Sequence, residues 1–275
     1  MPVTVTPLRY PGGKTQLYTF IRNLLVSNNL LGTVYCEPFA GGCGLALKLL
    51  LNDDVSKIII NDSDRAIYAF WYSVLHNSEE LCSFVDSVDI TVEEHEKQKY
   101  IYMCHEKYGE LDLAKATLFL NRTNVSGVLK GGIIGGRCQN GKYGIDARFP
   151  KEGIKKKIRR IAELSDRIDL YNLDVFEFLD RVIKQKKKVF INFDPPYVKK
   201  GGQLYKNSFD EDLHRKLSNR ISQLQTKWIV TYDICDLIES LYSRFRHDKI
   251  EVSYTVNTVR KAKECVFYSD NLIIP

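Results

Sequence analysis

The 275-residue sequence contains no apolar run long enough to cross a bilayer; stretches such as 58–60 fall far short of the roughly 20 residues that a spanning helix requires. It opens on no charged-then-apolar leader of the secretory kind, so the expectation is a soluble, cytoplasmic protein. Cysteines stand at 36, 43, 82, 104, 138, 235 and 265 without a Cys-x-x-Cys pair, which argues against a disulfide framework and for reduced, mostly buried thiols. The histidines (76, 95, 105, 214, 247) do not join them at ligand spacing, and no metal site is expected. Repeats and low-complexity tracts are lacking too, which excludes a solenoid.

What is present is ordinary in kind, with 44% hydrophobic and 27% charged residues, so the chain can bury a sizeable core as one large domain or a core domain carrying a smaller one. Charge is unevenly spread. Residues 121–160 hold Lys or Arg at 122, 130, 137, 142, 148, 151, 155, 156, 157, 159 and 160 against only Asp146 and Glu152. That window is strongly positive while the whole chain is only +6, so the remainder is net negative. A local positive surface suits the neutralisation of phosphates, although for 155–160 a merely solvated lysine-rich helix is the alternative reading.

Apolar spacing predicts a helix over 16–31, a short strand at 33–36, a helix at 45–51, a second strand at 58–60 and a helix over 65–75. That order signals a parallel α/β sheet. From 76 to 150 the text turns helical and polar, then glycine-rich and basic, which reads as an inserted lobe of helices plus a hairpin-like loop. Strands at 168–171, 189–193 and 228–231 resume the rhythm, separated by helices near 176–184, 210–223 and 235–245. The tail reads as an antiparallel pair, 251–256 and 264–268, across a basic loop at Arg260, Lys261 and Lys263.

Two constellations carry chemistry. The turn Phe39-Ala40-Gly41-Gly42-Cys43-Gly44 follows the first strand, where glycines let the backbone approach a ligand at the carboxyl end of a parallel sheet. A plain tight turn is the alternative. Asp62 ends the second strand roughly twenty positions later, where a carboxylate can accept both hydroxyls of a ribose. Capping of the next helix by Asp62 or Asp64 competes with that role. Jointly they favour an adenosine-containing cofactor.

The second constellation is Asn192-Phe193-Asp194-Pro195-Pro196-Tyr197, directly after a strand. Adjacent prolines remove two backbone donors and stiffen the corner. A carboxylate beside a proline carbonyl is then an acceptor-only pair matched to the two hydrogens of an exocyclic amine, and Tyr197 offers a face for a purine. Gly13-Lys14-Thr15 is reminiscent of a phosphate-binding loop, but that motif needs glycine where the chain has Leu8.

The Asp194-Pro195-Pro196-Tyr197 segment, the Glu37-Pro38-Phe39-Ala40-Gly41-Gly42 loop and the opening Arg9-Tyr10-Pro11-Gly12-Gly13-Lys14 together resemble the Dam-type site-specific DNA adenine-N6 methyltransferases, with the motifs in that family's order. The likeness covers nearly the whole chain, including Asn207-Ser208-Phe209 and a terminal Arg260-Lys261 followed by Glu264 and Asn271-Leu272.

The resemblance implies a Rossmann-like, S-adenosylmethionine-dependent methyltransferase sheet with an inserted helical and hairpin target-recognition domain at 76–150, between catalytic parts 1–75 and 151–275. It implies methyl transfer from S-adenosyl-L-methionine to the N6 amine of an adenine flipped out of double-stranded DNA. Asp194, Pro195, Pro196 and Tyr197 would be catalytic. Tyr10, Lys14, Asp62 and Asp194 would contact the cofactor, with Glu37, Phe39, Gly41, Gly42 and Gly44 around its methionine half. Arg9, Asn121, Arg122, Ser126, Val128, Lys130 and Arg137 would face DNA. Where the GATC-specific members present a guanine-gripping arginine, this chain has Lys130, so GATC is not implied. A cytosine-N4 or RNA methyltransferase and a non-catalytic DNA-binding protein on the same fold are the competing readings; a companion restriction endonuclease and the oligomeric state are left open.

Overall fold

The computed structural model describes residues 4–9, 14–184, 186, 188–198, 209–256 and 258–275, with 252–262 described by backbone alone. Strands β1 (Val34–Glu37), β2 (Lys57–Asn61), β3 (Ile168–Tyr171), β4 (Val189–Phe193), β5 (Lys227–Asp233), β6 (His247–Val256) and β7 (Thr258–Tyr268) form one sheet in the order β3-β2-β1-β4-β5-β7-β6. The first five are parallel, and β7 enters antiparallel between β5 and β6. This is a Rossmann-like α/β sheet, with the reversal of strand order falling between β1 and β4.

Strand alternation builds two cores, one on each face. Tyr35, Ile58, Ile60, Phe190, Ile229, Val266 and Tyr268 pack on one face beneath α1 (Tyr18–Ser27), α2 (Gly44–Leu51) and α3 (Arg65–His76). Their neighbours Cys36, Ile59, Ile191, Val230, Cys265 and Phe267 pack on the other, under helical segments 175–183, Glu211–Ile221 and Asp236–Leu241. Being covered on both sides, the parallel strands are near-continuous apolar runs.

The expected strands are all found, and one expectation is corrected. Arg260, Lys261 and Lys263 do not form a loop; β7 runs through all three, opposite Tyr254, Ser253 and Glu251. Val252, Thr255, Val256, Thr258 and Val259 supply enough strand-favouring character to continue the ladder through the charged positions.

Between α3 and β3 lie α4 (Ser78–Ser87), α5 (Val92–Met103), α6 (Glu110–Thr123) and α7 (Lys151–Ala162). α6 packs on α3 and α5, and α7 on α3 and α4, so Leu118 and Phe119 of α6 join the same apolar cluster as the sheet. After α6 the chain closes on itself through a single antiparallel bridge, Asn124 with Ile133, rather than through regular strands. All seven cysteines are unpaired, five of them buried. Among the described residues no helix is long and apolar enough to cross a membrane.

One buried amide ties this region to the amino-terminal segment. Asn121 accepts from the Arg9 backbone N–H at 2.7 Å and donates to the carbonyls of Arg9 and Gly127 at 2.7 and 2.9 Å. Gly127 has φ +78°, and a Cβ there would lie 2.3 Å from the Arg9 carbonyl oxygen. Gly127→Ala is therefore expected to destabilise the protein by about 1–3 kcal/mol, read as a lowered Tm; an unchanged Tm would show that the 4–9 segment is not held in this clamp.

Candidate active site

Because β1, β2 and β4 run in parallel, their carboxyl ends meet at one edge, and each delivers an acid there. Glu37 closes β1, Asp62 follows β2 and Asp194 follows β4. The face is set by alternation. Glu37 continues the row of Tyr35, Asn192 that of Phe190, Thr231 that of Ile229 and Glu264 that of Val266, so each apolar row ends in a polar side chain on the same side of the sheet. Lys14 comes from the 3-10 turn Lys14–Leu17 that leads into α1.

The glycine loop is stitched to the end of β2. The Ala40 N–H donates to the Asn61 carbonyl at 2.9 Å, and the Gly41 N–H to Asp62 Oδ2 at 2.8 Å. Trp71 donates its indole N–H to the Gly41 carbonyl at 2.9 Å. Gly41 (φ 46°) and Cys43 (φ 51°) take left-handed backbone, and Gly41, Gly42 and Gly44 are all buried. A Cβ on Gly44 would meet the Thr15 hydroxyl at 2.4 Å, so this glycine lets α2 start hard against the turn that carries Lys14. Phe39 is half-buried, edge-on to Phe209.

The two candidate helix caps divide the work. Asp64 caps α3 through the Ala66 N–H at 2.8 Å, whereas Asp62 accepts from the Gly41 and Asp64 backbones and stays with the loop. Burial, then the charge of Asp64, pushes the Asp62 carboxyl up to about 7 against the pull of those two N–H groups. Glu37, 6% exposed, is pushed up to about 8, chiefly by burial, and accepts from the Tyr35 hydroxyl at 3.1 Å.

Around Asp194 the donors converge on one oxygen. Lys14 Nζ lies 3.2 Å from Oδ1, the Thr231 hydroxyl donates to it at 3.0 Å and the Tyr197 hydroxyl at 3.3 Å. Tyr197 also donates to Glu264 Oε1 at 2.7 Å, and Lys14 to Glu264 at 2.9 and 3.2 Å and to the Tyr197 oxygen. Burial works to lower the Lys14 pKa, but Asp194 and Glu264 outweigh it and hold the ammonium above its ordinary range. Burial, with Asp194 and Glu264, drives the Tyr197 phenol well up, so it remains a donor. Pro195 is buried and Pro196 half-buried. Tyr10, Asn207 and Ser208 lie outside the described residues.

The residues expected to face DNA gather around the end of α6. Arg122 is 8% exposed, its Nε has no hydrogen-bond partner among the described residues, and burial, then Arg9 and Arg148, lowers it to about 10. Arg9 is lowered by burial and by Arg148, and donates to the Asn124 carbonyl at 3.1 Å. Lys157 is lowered by burial and by Arg122, and rests on Thr4 and the Thr6 carbonyl. These cations thus face one another. Asn121 is buried in its clamp, Ser126 (φ 59°) and Val128 are half-buried, Lys130 is exposed, and Arg137 pairs with Glu96 at 3.0 Å. Elsewhere in the basic window Lys155 pairs with Asp86 and Glu152, and Arg159 with Glu79.

The sequence profile of the D12 class N6 adenine-specific DNA methyltransferases matches residues 10–256. The chain belongs to that family. No curated protein matches the sequence. Among solved structures, the methyltransferase is similar to a Pyrococcus horikoshii protein assigned to the RNA methyltransferases (10% identity, 97% of this chain and 89% of that one, TM-score 0.46). It is also similar to the rRNA methyltransferase aviRa of Streptomyces viridochromogenes (11% identity, 94% and 85%, TM-score 0.41) and to TrmK of M. capricolum, bound to S-adenosyl-homocysteine (9% identity, 91% and 71%, TM-score 0.36).

The family's cofactor is S-adenosylmethionine, and the residues present fit it. Glu37 is buried and Asp62 half-buried, neither is paired with a basic side chain among the described residues, and the cofactor is a cation. Asn192 Oδ1 is a buried acceptor with no partner among the described residues. Sequence reasoning assigned no role to Asn192, Thr231 or Glu264, and took Arg148 and Lys157 only as part of the basic window. A signal existed for two of them: Asn192 interrupts the apolar run of β4, and Glu264 is an acid directly before the apolar stretch Cys265–Tyr268.

Glu37 has a sharp pH signature. Its folded pKa exceeds the ordinary carboxylate value, so the folded form keeps a proton that the unfolded chain releases, and stability falls as pH climbs from about 4.5 to about 8. In cofactor-free protein the Tm advantage of Glu37→Gln over wild type should widen across pH 5 to 8 and level off above; parallel Tm curves would contradict the buried, cation-deficient carboxyl.

Proposed function

We propose that this methyltransferase flips an adenine out of duplex DNA and methylates its N6 amine. The observation that carries the reading is the arrangement at Asp194: the donors from Lys14, Thr231 and Tyr197 all land on Oδ1. Oδ2 and the Pro195 carbonyl then serve as acceptors for the two amine hydrogens. Accepting both draws them away from the plane of the ring, makes the nitrogen more tetrahedral and aims its lone pair. Tyr197, its hydroxyl tied down, offers its ring to the base. When bound, S-adenosylmethionine supplies an electrophilic methyl on a cationic leaving group. Glu37 and Asp62 would hold it, together with Lys14, Tyr10 and the Phe39 to Gly44 loop, while Asp194 orients the amine and stabilises developing positive charge; once the methyl has left sulfur for nitrogen, the resulting ammonium is a strong acid and gives its proton to water or to Asp194, so no strong base is needed.

Extrusion costs roughly a few kcal/mol, offset by stacking and by phosphate contacts. The self-repelling cluster of Arg9, Arg122 and Lys157 supports such contacts, because an arriving phosphate would relieve it. Asn121 acts through Arg9, and Ser126, Val128, Lys130 and Arg137 stand on the segment assigned to the target, within an insert spanning 76–150.

Asp194→Ala should lower turnover at least about 100-fold while leaving DNA affinity within a small factor, measured by label transfer from S-adenosylmethionine to duplex oligonucleotides beside a binding titration. Near-normal turnover would refute the assignment, and label entering RNA or cytosine instead would replace the substrate. Lys130→Ala should cost roughly 1–3 kcal/mol of discrimination at one base position; affinity weakened equally over all sequences would make Lys130 a backbone contact.

A further inference from the structure

Glu264 is the least expected member of the site. It is 1% exposed, in a strand, and brought to the active edge by the antiparallel pairing that sets it opposite Asp233, the last residue of β5. A carboxylate taken out of water is costly unless it is well paired. Here Oε2 accepts from Lys14 at 2.9 Å, and Oε1 accepts from Lys14 at 3.2 Å and from Tyr197 at 2.7 Å. Both partners also reach Asp194.

We propose that Glu264 is a positioning residue for methyl transfer: it shares the Lys14 ammonium so that the cation does not collapse onto Asp194, and it anchors the Tyr197 hydroxyl. The inference rests on the function proposed above. With Lys14 positive, Asp194 and Glu264 negative and Tyr197 neutral, the group keeps one net negative charge. That leaves Asp194 an effective acceptor for an amine. Without Glu264, a buried ammonium 3.2 Å from Asp194 Oδ1 has one carboxylate left, and its remaining donors compete for the lone pairs the amine requires. Tyr197 loses its shortest acceptor in the same step, so the stacking ring and the acceptor corner drift together.

The test is Glu264→Gln, which keeps size and an acceptor for Tyr197 but removes the charge, beside Glu264→Asp, which keeps the charge and withdraws it. For Gln, kcat on an adenine-containing duplex should fall about 100-fold, with Kd for S-adenosylmethionine by calorimetry and Kd for DNA each within about threefold and Tm little changed. For Asp, kcat should fall about tenfold with the same affinities, and this variant decides the matter if the Gln form does not fold. A kcat within threefold of wild type, or losses of cofactor affinity that account for the loss of rate, overturns the positioning role. The two readings fail separately: wild-type protein that methylates no adenine duplex refutes the proposed function, whereas an active wild type beside a fully active Glu264→Gln refutes only the part given to Glu264.

Discussion

A single buried ammonium organises the candidate site. Lys14 is 7% exposed and stands where three segments distant in sequence meet: the turn before α1, the corner after β4 and the middle of β7. Its charge requires carboxylates, and Asp194 and Glu264 provide them. Tyr197 and Thr231 then donate into lone pairs left on the same oxygens. Any of these groups alone, buried at a sheet edge, would be costly; together they satisfy one another and fix the acceptor corner.

The sheet makes that meeting possible. Alternation puts apolar side chains on both faces through the middle of each strand, and parallel running brings the strand ends level. A polar residue placed next in the row of Tyr35, Phe190 or Ile229 emerges at that edge on the face covered by α1 and α2. The antiparallel β7 breaks the pattern of direction but not of face, which is how a residue so near the carboxyl terminus joins the first motif of the chain.

Two kinds of positive charge share the stretch after α6. The helix Lys151–Ala162 is largely an ordinary charged surface, with Lys155 and Arg159 matched to acids of α4. Lys157, with Arg122 at the end of α6 and Arg9 from the amino-terminal segment, is different: burial lowers all three, helped by Arg148 at Arg9, by Arg9 and Arg148 at Arg122, and by Arg122 at Lys157. Packing separates a cation matched to an acid from one that faces other cations.

Sequence alone made the parallel α/β sheet legible, because apolar runs bounded by turn residues are local signals, and it marked Glu37, Asp62, Lys14 and the Asp194 corner as candidate site residues because they sit in short contiguous motifs. It did not extend β7 through Arg260, Lys261 and Lys263, since strand pairing across a charged stretch depends on a partner strand. Only the folded arrangement shows that Asp64 rather than Asp62 caps α3, that the donors crowd one oxygen of Asp194, and that Glu264 reaches Lys14 and Tyr197. Each of those is a contact between residues far apart in the chain or a choice between neighbouring atoms, and neither leaves a trace in spacing or composition.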